Sequence, residues 1–294
     1  MGEGLTPLVP APAAAGVAGL RLKLEYLAPT GSFKDRGAVL LAILARRLGV
    51  ARMVADSSGN AGAAIAAYAA RAGVACEVFL PAGTSSSKVA QLAAFGATVR
   101  VVDGDRTRTA QAAQAAIGSG VLYASHVYHP LFLHGTKTYV YELFEQYGGG
   151  LPELLVVPVG NGTLLLGAWL GCQELLAQRL IDRVPRLVAV QAAACAPLAG
   201  SGEVAPTLAE GIAIPHPPRA AQIVQAVRDS GGEVVTVTEA QIAAAHRELA
   251  ASGFYVEPTA AVCWAAVRAG AVRPAQGGAV LPLTGSGLKA KPPG

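Results

Sequence analysis

Short β-branched runs alternate with alanine- and leucine-rich stretches along most of this 294-residue chain. Residues 52–55, 75–80 and 98–102 read as buried strands, being short and largely apolar. Residues 61–72 and 86–95 between them read as helices, closed by Gly73 and Gly96. Strands at 154–157, 187–190, 234–237 and 279–283, with helices at 164–179, 219–229, 239–251 and 259–269, repeat the theme. This repetition predicts an α/β fold of two domains, with open parallel-rich sheets flanked by helices. Such sheets bind ligands at the carboxyl ends of their strands, so the chemistry belongs in loops that leave a strand and open a helix.

The chain is 52% hydrophobic and 14% charged, which is enough apolar material for a substantial core. Its net charge of +4 is small and its basic residues are scattered, which argues against nucleic acid as a partner. Cys76, Cys172, Cys195 and Cys263 are widely spaced in apolar surroundings, as buried thiols of a reducing compartment are. Residues 154–173 carry no charge, but Pro158, Gly160, Asn161 and Gly162 interrupt them, so a strand, turn and helix are expected rather than a membrane span. No basic region leads the first apolar stretch, and a soluble, cytoplasmic protein is expected. Six lysines (Lys23, Lys34, Lys88, Lys137, Lys289 and Lys291) are on offer to any chemistry that needs an amine.

Four motifs fall where the fold puts chemistry. Gly31-Ser32-Phe33-Lys34-Asp35-Arg36-Gly37 follows a strand expected at 22–26 and precedes a helix through Leu48. Ser32 is expected as its N-cap, which puts Lys34 in the first turn. A cation there opposes the helix dipole, so stability alone does not favour it. Beside Phe33 its charged form is disfavoured and its amine more nucleophilic, the plainer alternative being a solvated lysine. Ser57-Ser58-Gly59-Asn60-Ala61-Gly62 follows the next strand. Its small residues let the turn lie against a ligand, and the N–H groups of the following helix suit a carboxylate, although an ordinary turn reads the same way.

Gly160-Asn161-Gly162-Thr163-Leu164 joins a strand to a helix in the manner of a backbone phosphate cradle, with neither a Walker loop nor a dinucleotide fingerprint. A side chain at Gly162 is expected to block ligand approach with little effect on folding. Leu283-Thr284-Gly285-Ser286-Gly287-Leu288-Lys289 ends the last strand with hydroxyls that either face a ligand or cap the turn. His126, His129 and His134 match no zinc spacing and have no cysteine near them, so no metal is expected.

Together and in this order the motifs resemble the fold type II, or tryptophan synthase β, family of pyridoxal 5'-phosphate enzymes, and within it threonine synthase most closely. The likeness includes Gly2-Glu3-Gly4-Leu5-Thr6-Pro7-Leu8 at the start and Val256-Glu257-Pro258-Thr259-Ala260-Ala261 near the end. It implies that Lys34 holds the cofactor as a Schiff base and acts as general base. It further implies that Asn60 hydrogen-bonds the pyridine 3'-oxygen, that Gly160, Asn161, Gly162, Thr163 and Leu164 cradle the cofactor phosphate, and that Thr284 faces the pyridine nitrogen. Ser57, Ser58, Gly59, Asn60 and Ala61 would hold the carboxylate of an amino-acid substrate. A neutral partner at the ring nitrogen suits elimination and replacement at Cβ or Cγ, with the cofactor supplying the electron sink. The resemblance also implies a large cofactor-binding domain of residues 1–49 and 138–294, a small inserted α/β domain of residues 50–137, and a homodimer.

Threonine synthases usually carry Asn-Ser-x-Asn-Pro-x-Arg shortly before Gly-x-Lys-Thr. Here Pro130 and Gly135-Thr136-Lys137-Thr138 are kept, while His126, Val127, His129 and Phe132 stand at the other positions. His126 and Phe132 are thereby expected to line a substrate pocket without its guanidinium, and O-phosphohomoserine is expected to be a poor substrate. Thr207-Leu208-Ala209-Glu210-Gly211-Ile212-Ala213 looks more like threonine dehydratases. The expected function is an amino-acid lyase or transferase of threonine-synthase type, working by β- or γ-elimination or replacement. The alternatives are a serine/threonine dehydratase, a cysteine-synthase-like β-replacement enzyme, and a non-catalytic relative that binds cofactor or amino acid.

Overall fold

The computed structural model describes residues 1–13, 16–84, 86–104, 106–202, 204–273 and 277–290. In chain order they form β1 (Leu8–Pro10), β2 (Leu20–Lys23), α1 (Asp35–Arg47), β3 (Arg52–Ala55), α2 (Asn60–Ala72), β4 (Ala75–Pro81), α3 (Ser86–Ala94), β5 (Thr98–Val102), α4 (Arg106–Ala115) and β6 (Val121–Tyr123). There follow α5 (Pro130–Thr136), α6 (Thr138–Gln146), β7 (Leu154–Pro158), α7 (Thr163–Ala177), β8 (Arg186–Ala192), α8 (Ala220–Asp229), β9 (Glu233–Val237), α9 (Glu239–Ala251), α10 (Pro258–Arg268) and β10 (Ala279–Pro282). These elements make two compact units, one of Met1–Glu3 with Ala28–Thr136, the other of Gly4–Leu27 with the chain from Lys137 onward.

The first unit is built on a four-stranded parallel sheet in the order β5-β4-β3-β6. α2 is alanine-rich on every side and is buried from Ala61 to Ala69, which only a helix enclosed by other elements tolerates. It stops at Gly73, whose φ of +70° makes the left-handed C-cap that glycine adopts without strain. α1 crosses α5 at glycines: a Cβ at Gly135 would lie 2.6 Å from the Cα of Gly37. Ala38, Leu41, Ile65, Met53, Leu80 and Phe132 fill the core between these helices and the sheet.

The second unit carries a six-stranded sheet in the order β1-β2-β10-β7-β8-β9, parallel except for β1. β7 and β10 are buried along their whole lengths, as strands covered on both faces must be. α10 is buried from Thr259 to Val267, and its Trp264 indole donates to Glu248 at 3.1 Å. A capping box of Thr238 and Gln241 starts α9. The fully buried Lys23 ammonium lies 2.7 Å from Glu142 and 2.6 Å from the Thr6 carbonyl, anchoring the opening Thr6-Pro7-Leu8 segment.

The described elements differ from the sequence expectations in four places, the first being β5, expected as a buried strand but lying at the edge of its sheet with Thr98, Arg100 and Val101 exposed. Residues 28–49 fall with the first unit, because α1 packs on α2 and α5, and not with residues 138–294 as expected. The strand expected at 22–26 ends at Lys23 and gives way to a 3-10 turn at Glu25–Leu27, where the Tyr26 amide reaches Leu283. β1, β6, α4, α5 and α6 are additions to the expected set. Among the described residues no helix is long and apolar enough to cross a membrane.

Candidate active site

Lys34 stands where the chain turns into α1, with helical backbone angles (φ −60°, ψ −23°) and no side-chain cap. Ser32 is therefore not the expected N-cap: its buried hydroxyl has no hydrogen-bond partner among the described residues, and its carbonyl instead accepts from the Asp35 amide at 3.3 Å. The reason is a tighter lead-in turn. The Asp35 carboxylate reaches back to the Thr30 amide at 2.8 Å and to the Thr30 hydroxyl, so it closes residues 30–35 into a loop. Lys34 is half-buried on that loop, its ammonium 3.7 Å from the centre of the Phe33 ring.

The Ser57–Ala61 turn leaves β3 and opens α2, again without a side-chain cap. Gly62 makes this turn possible, because a Cβ there would collide with the Ser57 carbonyl. Ser57, Ser58, Gly59 and Asn60 are all half-buried. Directly before them stands Asp56, which the sequence reading passed over. Burial raises the pKa of its carboxyl, and an acidic residue closing an apolar strand was the available signal. His126 is half-buried and meets Phe132 edge to face at 6.0 Å. Phe132 itself is fully buried against Gly37, where a Cβ would lie 2.5 Å from its ring. It is thus placed as a core residue and not as a lining side chain, because the α1–α5 crossing takes its ring.

In the second unit four stretches meet. The Gly160–Gly162 turn leaves β7 and opens α7, whose N-cap residue, Gly162, has no side chain to cap it. Gly162 has a φ of +72°, and a Cβ there would strike Ile223, with its Cγ1 at 2.6 Å. The expectation that a larger residue at 162 spares folding is therefore corrected by both backbone and packing. Gly160 lies against the next segment, a Cβ falling 2.8 Å from the Ile212 Cα. The Gly211 amide donates to the Thr259 hydroxyl at 3.1 Å, and the Glu257 amide donates to the Gly285 carbonyl at 3.0 Å. Residues 160–164, 209–213, 256–261 and 284–287, distant in sequence, form one connected wall. Ser286 caps its own turn through the Leu288 amide at 3.3 Å. Thr284 does not: its hydroxyl is buried and partnerless among the described residues.

These features fit pyridoxal 5'-phosphate. A buried hydroxyl without a partner calls for a ligand atom or water, since an unsatisfied one costs about 1–3 kcal/mol. Two turns put a glycine at the N-cap of a helix, Gly59 before α2 and Gly162 before α7, and helix starts of this kind hold anionic groups. Among the described residues no group of three or more His, Cys, Asp or Glu side chains is placed to hold a metal ion.

The chain belongs to the pyridoxal-phosphate dependent enzyme family, whose profile matches residues 1–285, and pyridoxal 5'-phosphate is its cofactor. It is a fold type II enzyme and a lyase related to threonine synthase. Threonine synthase of Mycobacterium leprae is 36% identical over 301 residues, covering 98% of this chain and 82% of the relative. A threonine deaminase from T.th. superposes with a TM-score of 0.82 at 28% identity, covering 98% of this chain and 94% of that one. Cysteine synthase of Entamoeba histolytica, at 20% identity and a TM-score of 0.84 over 97% of this chain and 86% of that one, shares the fold.

Proposed function

We propose that this enzyme carries out elimination or replacement on a small amino acid whose leaving group is a hydroxyl or acyl ester and not a phosphate. Lys34 holds the cofactor and its amine takes the substrate α-proton, for which a lysine on a closed loop at a helix start is suitably fixed. Asn60 hydrogen-bonds the ring 3'-oxygen, and Gly160, Asn161, Gly162, Thr163 and Leu164 hold the phosphate through backbone amides. Thr284 partners the ring nitrogen as a neutral group. Ser57, Ser58, Gly59, Asn60 and Ala61 receive the substrate carboxylate. When bound, the cofactor would supply the electron sink for the electron pair that loss of the α-proton leaves on the substrate Cα.

The observation that carries this reading is the buried, partnerless Thr284 hydroxyl at the end of β10, a neutral group where aminotransferase-type sites use a carboxylate. The burial of Phe132 supports the choice of leaving group, since no cation stands at that position to meet a phosphate. The same reading takes the protein as a homodimer of the cytoplasm. Its four free, buried cysteines support a reducing compartment, and light scattering in solution tests the dimer. The decisive assay offers serine, threonine, O-acetylserine, homoserine and O-phosphohomoserine to the holoenzyme, with and without an added thiol nucleophile. Ketoacid from serine or threonine alone marks a dehydratase, and thiol-dependent product marks replacement. Turnover of O-phosphohomoserine above all the others overturns the proposal.

A further inference from the structure

A polar pair lies at the carboxyl ends of β3 and β6 that the chemistry above leaves unused. These strands run parallel with Val54 opposite Tyr123, and the Ala124 amide continues the pairing to the Val54 carbonyl at 2.8 Å. Paired residues of parallel strands share a face, and side chains alternate along each strand, so Asp56 falls on the face of Val54 and Tyr123. The Asp56 carboxylate and the Tyr123 phenol do lie together. Burial and the neighbouring carboxylate push the phenol up to about 12, and burial raises the carboxyl. The phenol also faces the Ser125 and Gln114 side chains, yet its buried oxygen makes no well-directed hydrogen bond among the described residues. Ser125, two residues on, accepts from the Val127 and Tyr128 amides at 3.3 and 3.1 Å and so fixes the turn that bears His126.

Asp56 is also the residue before the Ser57–Ala61 turn. We infer that Asp56 and Tyr123 are the specificity pair for the substrate side chain, taking a neutral hydroxyl and disfavouring a phosphate. The inference rests on the reading that residues 57–61 hold the substrate carboxylate, which brings the amino acid to the end of β3. A hydroxyl can donate to the Asp56 carboxylate while accepting from the Tyr123 phenol, satisfying both groups. A phosphate donates little and adds negative charge beside a half-buried carboxylate, where water screens poorly. A pair that merely tied β3 to β6 would affect every ligand alike.

The test uses the holoenzyme and its Asp56→Asn and Tyr123→Phe variants, titrated with L-alanine, L-serine and O-phospho-L-serine while the cofactor absorbance is followed. Asp56→Asn is expected to raise the affinity for O-phosphoserine relative to serine about tenfold, since it removes one like charge. Tyr123→Phe is expected to weaken serine about tenfold and to leave alanine within about twofold, since alanine has no hydroxyl to lose. Urea melts of both variants accompany the titrations, so that loss of folding is not read as loss of binding. An unchanged serine to O-phosphoserine ratio in Asp56→Asn, or alanine weakened in step with serine in Tyr123→Phe, overturns the pair. If none of the three amino acids shifts the wild-type absorbance, the carboxylate reading of residues 57–61 falls and this inference with it. If all three bind and discrimination ignores residues 56 and 123, this inference alone is lost.

Discussion

Burial holds the Asp56 carboxyl above its ordinary pKa of 3.8, so its ionised form opposes folding. A folded-state value above the unfolded one favours the protonated group. The favourable contribution is complete below pH 3.8 and is lost as pH rises through the raised value. Asp56→Asn should therefore gain stability over wild type progressively above pH 4, with no difference at lower pH. Urea unfolding at several pH values measures this, and a constant offset would assign the change to packing. Thr284 poses the complementary case of a buried hydroxyl without a partner among the described residues. Thr284→Val keeps the shape, and so should stabilise the cofactor-free protein by about 1 kcal/mol while altering the absorbance of the loaded one. Loss of stability without cofactor would mean that the hydroxyl is satisfied after all.

Among the elements, the glycine turn into α7 is a folding device in its own right. Gly162→Val must place a branched side chain at positive φ and against Ile223, which should cost about 2–4 kcal/mol even at saturating cofactor. Denaturation with excess cofactor reads this cost, and an unchanged midpoint would show that the turn can relax. That requirement was not legible in the sequence, because Ile223 lies some sixty residues away on α8. The strands of the two parallel sheets were legible, since β3 and β5 are continuous β-rich runs between clear turns. α4, with its Arg-Thr-Arg-Thr start and alanine–glutamine body, has no apolar stripe to read, and β6 spans three residues. Ser32 preceded a helix as caps do, but the Thr30–Asp35 closure took over its role. The four motifs were visible as turns, whereas the partnerless state of Thr284 and the fully buried ring of Phe132 needed the packed structure.

For the whole molecule, family membership fixes the cofactor and leaves the substrate to the residues that differ. With Phe132 in the core and no guanidinium at its position, a substrate phosphate forgoes charge-assisted contacts worth about 1.5–3 kcal/mol each. Two such losses place O-phosphohomoserine roughly two to four orders of magnitude below the preferred substrate in kcat/KM. Steady-state comparison with serine, threonine and O-acetylserine checks this, and parity among them would contradict it. All of this depends on where the cofactor is held. The chain has six lysines, and among the described ones Lys34 alone sits on a closed loop that opens a helix of the first unit. Borohydride reduction of the purified holoenzyme, followed by peptide mapping by mass spectrometry, locates the bond directly. The pyridoxyl group is expected on Lys34, with Lys34→Ala losing the cofactor absorbance. Recovery of the label on Lys23, Lys88, Lys137, Lys289 or Lys291 would contradict it.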